Sequence, residues 1–197
     1  MNDDYYQQNA QRFYDDTVNV DMSALYEPFL AYLKPGAQIL DAGCGSGRDT
    51  RAFSDLGFEV EAFDASAELV ERARQLTGRQ VEVMRFQEMT AVAKYDGIWC
   101  CASLLHVPET ELPEVMALLA RALKPGGVWY LSFKYGRGER EKDGRVFTDM
   151  DERQLQTLTE KMRNIAVKNI WITDDKRPCR SKECWLNGLF IKNEFIY

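Results

Sequence analysis

Asp41-Ala42-Gly43-Cys44-Gly45-Ser46-Gly47-Arg48-Asp49 sets two carboxylates around three glycines, directly after the apolar pair Ile39-Leu40. An apolar strand, a tight glycine turn and a helix start in that order bring backbone N–H groups close to a ligand at the carboxyl end of a sheet. The glycines stand in a GxGxG spacing. A dinucleotide pyrophosphate loop needs GxGxxG, with a small residue where this chain carries Arg48. A bulky Arg48 would block close helix–strand packing and crowd a pyrophosphate. Asp41, two residues before the first glycine, is a poor neighbour for a phosphate anion. It suits a cationic ligand, such as an α-amino group beside a sulfonium. The residues therefore favour S-adenosylmethionine over NAD.

This run resembles motif I of the class I S-adenosylmethionine-dependent methyltransferases, and the resemblance extends over most of the chain. Within that superfamily the chain is most similar to small members described as tellurite-resistance-like methyltransferases. The resemblance implies an α/β fold, a Rossmann-like three-layer sandwich whose seven-stranded, mostly parallel sheet ends in an antiparallel C-terminal β-hairpin. It also implies a cofactor site of Asp41, Gly43, Cys44 and Gly45 on the loop, with Ala65 offering its backbone beside the adenine or ribose. Asp64 ends the second strand, where an acid can accept two hydrogen bonds from vicinal ribose hydroxyls. In the family the loop after the third strand, here Arg85-Phe86-Gln87-Glu88-Met89, holds the adenine. Gln87 and Glu88 are the acceptor candidates, and Phe86 and Met89 the apolar ones. Cys101-Ala102-Ser103-Leu104-Leu105-His106 would pass over the methionine part of the cofactor, with Ala102 facing it. The Asn/Asp-Pro-Pro-aromatic motif of nucleic-acid amino-methyltransferases is missing from that segment, which disfavours base N-methylation.

The elements that position these residues follow from periodicity. Apolar runs predict strands at 38–42, 59–63, 81–86, 95–101 and 128–133, alternating with helices at 48–56, 67–77 and 109–123. Ser66 caps the second of these helices and Gly78 ends it. Lys124-Pro125-Gly126-Gly127 reads as a turn before the fifth strand. Tyr135 to Gly144 reads as a mobile charged loop, and Thr148-x-x-Asp151 as a capping box that starts a helix to about Met162. The runs 167–173 and 185–192 predict the final hairpin. Tyr5, Tyr6, Phe13, Tyr14, Tyr26 and Phe29 make the first 33 residues strongly aromatic. They read as a helical lid over the cofactor, with Tyr14 and Thr17 as contacts, or as an amphipathic helix packed on the sheet. One domain over residues 1–197 results, with a lid at 1–33 and a catalytic core at 34–197.

Residues at the carboxyl ends of later strands are candidates for the methyl acceptor: His106, Lys134, Tyr135 and Arg177, with Asp175 and Trp185 beside them. His106, the only histidine, is the candidate general base, although a lone histidine is more often structural. The net charge of −6 argues against a nucleic-acid partner. No apolar run approaches the roughly 20 residues of a membrane span. The acidic start Met1-Asn2-Asp3-Asp4 is no signal peptide, so a cytoplasmic protein is expected. The five cysteines, Cys44, Cys100, Cys101, Cys179 and Cys184, are odd in number and scattered, which predicts free thiols and no metal site. The expected function is methyl transfer from S-adenosylmethionine to a small-molecule acceptor. A protein or RNA acceptor, a binding protein without turnover and, last, an NAD protein stay open. The oligomeric state is open too.

Overall fold

A computed structural model describes residues 2–177 and 183–194; Cys179 and part of the polar loop before Cys184 lie outside them. Five parallel strands carry the N-terminal part of the sheet: β1 (Gln38–Ala42), β2 (Glu59–Asp64), β3 (Val81–Val83), β4 (Tyr95–Cys100) and β5 (Leu123–Lys134). The hairpin of β8 (Ile165–Asp174) and β9 (Cys184–Lys192) joins it antiparallel, with β9 against β5. The order β3-β2-β1-β4-β5-β9-β8 is the expected seven-stranded sheet with its C-terminal hairpin. Between β1 and β4 the strand order reverses, and there an open α/β sheet leaves a crevice at its carboxyl edge.

Both faces of the sheet are covered, so β1 buries Ile39, Leu40, Asp41 and Ala42 in succession. Neighbouring residues feed opposite cores. Leu40, Ile98 and Trp129 pack beneath α5 (Leu112–Ala122), whose Val115, Met116 and Leu119 face them. Ile39, Trp99 and Tyr130 pack with Tyr26 and Phe29 of α2 (Ser23–Leu30) and Phe53 of α3 (Arg48–Asp55). The remaining helices are α1 (Asn2–Thr17), α4 (Ala67–Thr77) and α6 (Glu152–Glu160).

Several segments differ from the sequence reading for local reasons. β3 stops at Val83 because the Glu88 carboxylate takes the Arg85 N–H at 2.8 Å and curls the chain into a 3₁₀ turn, Phe86–Glu88. Lys124-Pro125-Gly126-Gly127 lies within β5, across a register shift against β4. The charged run after Tyr135 is a second, two-stranded sheet of β6 (Gly138–Lys142) and β7 (Arg145–Asp149). Asp143 and Gly144 both take positive φ, 55° and 72°, as a two-residue turn between right-twisted strands requires. Thr148 belongs to β7 and donates its hydroxyl to the Val107 carbonyl. Asp151 is the N-cap of α6, in a reciprocal capping box with Gln154.

The glycine turn is held from beneath by buried acids. Asp49, in the first turn of α3, accepts from Arg48 Nε at 2.7 Å and Nη2 at 3.1 Å, from Trp99 Nε1 at 2.9 Å and from the Tyr26 hydroxyl. Burial works against its charge, but Arg48 and these donors outweigh it and keep its carboxyl below the usual range. Asp41 has the Thr50 hydroxyl at 2.6 Å. Burial, then the negative charge of Asp49, push its pKa up to about 8. Asp41 is therefore sequestered beneath the turn, where the expectation had it facing a cationic ligand.

Gly47 has φ +88° and a Cβ there would stand 3.0 Å from the Ala73 Cα, so α3 and α4 meet through it. Gly47, rather than the position of Arg48, is thus the close-packing point. Gly47→Ala is expected to cost about 1–3 kcal/mol of stability in urea unfolding; an unchanged midpoint would contradict this packing. Asp41 supplies a second test. Its raised pKa favours the folded state fully below the ordinary carboxylate pKa, and that contribution fades as pH rises toward about 8. Wild type should lose more unfolding free energy between pH 5 and pH 8 than Asp41→Asn does. Equal losses would mean that Asp41 is ionised in the fold.

Candidate functional site

A cavity of about 500 Å³ opens at the carboxyl ends of β1, β2, β4 and β5. The glycine turn forms one end. Gly43 and Cys44 N–H both donate to the Phe63 carbonyl at 2.9 Å, which pulls the turn against β2. Asp64 accepts from Gly45 N–H and from Ser66 N–H, each at 2.9 Å, and the residue lines the cavity. A Cβ on Gly43 would stand 2.4 Å from Ser103 Cβ, and one on Gly45 would stand 3.0 Å from Phe13. Both positions need glycine for close approach. Ala102 has φ +50° and donates its N–H to Ser132 Oγ at 2.8 Å, which turns the chain across the cavity after β4.

Of the residues assigned from sequence to the cofactor, Gly43, Cys44, Gly45, Asp64, Ala65, Gln87 and Ala102 line this cavity. Three do not. Asp41 is 2 % exposed beneath the turn. Glu88 closes the 3₁₀ turn through the Arg85 N–H. Tyr14 is half-buried away from the wall, which α1 instead supplies with Tyr6, Phe13 and Thr17. Gln87 donates its amide to Glu111 at 2.7 Å. Phe86 meets Phe63 edge-on at 5.2 Å and gives the wall an aromatic surface, while Met89 is buried in the core. Cys44 and Cys101 also line the cavity, and burial raises both thiols well above their ordinary pKa.

The other end gathers the acceptor candidates His106, Lys134 and Arg177 with Asp175 and Trp185. A ring nitrogen of His106, Nε2, lies 2.8 Å from the Tyr6 hydroxyl. Burial raises the Tyr6 pKa, with the positive Arg145 pulling the other way. Lys134 pairs with Glu183 and lies 5.2 Å from the Trp185 ring centroid. Burial lowers its pKa against the pull of Glu183. Arg177 grips Asp175 through Nε at 3.0 Å and Nη2 at 2.5 Å, and Trp185 donates to the same carboxylate at 3.0 Å. Burial opposes the Asp175 charge, yet Arg177 keeps its pKa low. Tyr135, just past the end of β5, is exposed, donates to Glu152 at 3.0 Å and is absent from the wall. Sequence reasoning missed the β6–β7 hairpin, which supplies Arg140, Lys142, Arg145 and Phe147. Its signal was Asp143-Gly144 between alternating residues.

Among the described residues no helix is long and apolar enough to cross a membrane, and no three His, Cys, Asp or Glu side chains cluster as metal ligands would. Residues 39–127 match the family model of a methyltransferase domain. Over 105 residues the chain is 37% identical to a ubiquinone biosynthesis O-methyltransferase of Xanthomonas oryzae pv. oryzae, which is 49% of this chain and 43% of that relative. The chain thus spans less than half the length of the curated relatives it matches. Two solved structures share the fold. One is 1,6-didemethyltoxoflavin-N1-methyltransferase of Burkholderia thailandensis with bound 1,6-didemethyltoxoflavin and S-adenosylhomocysteine (TM-score 0.78, 22% identity, 96% of this chain and 84% of that one). The other is magnesium protoporphyrin IX methyltransferase of Synechocystis PCC 6803 with bound S-adenosylmethionine (TM-score 0.75, 19% identity, 96% and 94%). The glycine turn at the switch of strand order and the sheet with its terminal hairpin make up the fold that these methyltransferase structures share, and residues 39–127 match a methyltransferase domain.

Proposed function

We propose that this chain transfers the methyl group of S-adenosylmethionine to a small-molecule acceptor. The observation that carries the reading is one continuous cavity, with the Gly43–Gly45 turn and Asp64 at one end and His106, Lys134 and Arg177 at the other. The residues present fit the cofactor. The glycines leave room for close backbone approach, Asp64 sets an acid where ribose hydroxyls need an acceptor, and Phe86 offers a flat surface to an adenine. When bound, the sulfonium supplies an already activated methyl group. The protein's task is then alignment and exclusion of water. Asp64 and the backbone of Ala65 hold the nucleoside, Gly43 to Gly45 border the amino-acid part, and Ala102 with its positive φ borders the reacting end. His106, steadied by Tyr6, takes the proton from a hydroxyl or amine acceptor. α1 acts as the lid over residues 34–197, because Tyr6, Phe13 and Thr17 close one wall.

What the relatives act on supports a small acceptor: one is named for ubiquinone biosynthesis, and one holds a didemethyltoxoflavin. Asp64→Asn and Asp64→Ala should weaken S-adenosylhomocysteine binding by about 1–3 kcal/mol in calorimetry, since a desolvated ribose loses its charged partner. Methyl-labelled S-adenosylmethionine incubated with the protein and cell extract should label the small-molecule fraction, and Asp64→Ala should abolish that label. Label in protein or RNA would overturn the small acceptor. Wild-type binding by both variants would overturn the placement of the cofactor.

A further inference from the structure

Building on the proposed transfer reaction, we propose that Arg145 anchors the acceptor through an anionic group, and that the acceptor is a small aromatic carboxylate. The chain is acidic overall, at −6, yet the acceptor end of the cavity carries Lys134, Arg140, Lys142, Arg145, Lys176 and Arg177. Most of these charges are answered within the fold. Arg140 pairs with Asp149, Arg177 with Asp175, and Lys134 and Lys142 share Glu183.

Arg145 differs. It is 8 % exposed, and its Nε is buried without a hydrogen-bond partner. Its ion pair, with the exposed Asp143, is a loose 3.8 Å. Its other polar contact is Nη1 to the Tyr6 hydroxyl at 3.3 Å. A guanidinium taken from water normally acquires a two-pronged carboxylate partner, because an unanswered buried charge is costly. Here the paired carboxylate of Asp143 stays at 3.8 Å, and Arg145 lines the cavity. Asp149 Oδ1 on the same hairpin is also buried and unpartnered, but Asp149 is absent from the cavity wall, whereas Arg145 lines it.

The surroundings define the rest of the ligand. The guanidinium carbon lies 4.1 Å from the Tyr5 ring centroid and 4.9 Å from that of Phe147, which fixes its plane. Tyr6, Leu105, Val107, Phe147 and Trp185 make the nearby walls apolar or aromatic and suit a flat unsaturated body. The cofactor shares the cavity of about 500 Å³, so the acceptor is of single-ring size. Tyr6 touches both Arg145 and His106, so an anchored carboxylate puts the opposite end of the ring within the reach of the proposed base.

The test is calorimetric titration with benzoate, its neutral analogue benzamide and inorganic sulfate, each with and without saturating S-adenosylhomocysteine. Benzoate should bind at least ten-fold tighter than benzamide and sulfate. Arg145→Gln should weaken benzoate at least ten-fold while S-adenosylhomocysteine affinity stays within two-fold. Arg145→Lys keeps the charge without the planar fork and should fall between, which preserves the test should Arg145→Gln fold poorly. Equal binding of benzoate and benzamide, or undiminished benzoate binding by both variants, would overturn the anchor. Sulfate binding as tightly as benzoate would overturn the aromatic body and point to an inorganic oxyanion. Loss of S-adenosylhomocysteine binding by wild type would defeat the methyl-transfer reading alone, since the benzoate comparison also runs without it.

Discussion

One buried negative charge organises the region under the glycine turn. Asp49 sits at the start of α3, 5 % exposed, and answers donors from Arg48 beside it, from Trp99 on β4 and from Tyr26 on α2. Such a charge is tolerable only while its partners converge, and removing one leaves the rest uncompensated. The same aromatic side chains that satisfy it also pack: Trp99 stacks on Tyr130 at 4.0 Å, and Tyr26 meets Phe53 edge-on. A polar requirement and an apolar core are therefore met by one set of residues. This ties α2, α3 and the central strands to the base of the cavity.

Three acids near the turn show how environment, rather than residue type, sets a role. Asp49 stays ionised because Arg48 neutralises it locally. Asp41, with one hydroxyl donor and a charged neighbour, is driven toward its neutral form. Asp64, half-exposed at the end of β2, holds the turn through two backbone donors and still faces the cavity. A reading that weighs all three as anions facing a ligand misplaces Asp41, which lies beneath the turn and off the cavity wall.

The parts legible in the sequence are those dictated by short-range pattern. Strand periodicity placed β1, β2, β4 and the final hairpin, and the spacing of Gly43, Gly45 and Gly47 placed the turn. Ser66 and Gly78 bounded α4 as read. What escaped depends on contacts distant in sequence. Charge density hid the β6–β7 hairpin, although its Asp143-Gly144 turn was visible, because a run of Arg, Glu and Lys reads as solvation until a partner surface is known. Glu88 was a sound acceptor by type but is used within its own turn, and Tyr14 points away from a wall that its neighbours Phe13 and Thr17 build. Side-chain direction, not residue identity, decided these cases.

The cavity is built from two kinds of sequence. The glycine turn, Asp64, Gln87, Ala102 and His106 fall within residues 39–127, while Tyr6, Phe13, Arg145, Phe147, Arg177 and Trp185 come from the flanks on either side. Tyr6 and Arg145, 139 positions apart, meet directly. A chain leaving the ribosome can shape its turn long before the opposite wall has been made, so the pocket closes only when its two ends are joined. The middle segment can therefore stay constant while exchange of the flanks alone re-cuts the shape and charge of the chamber it opens into.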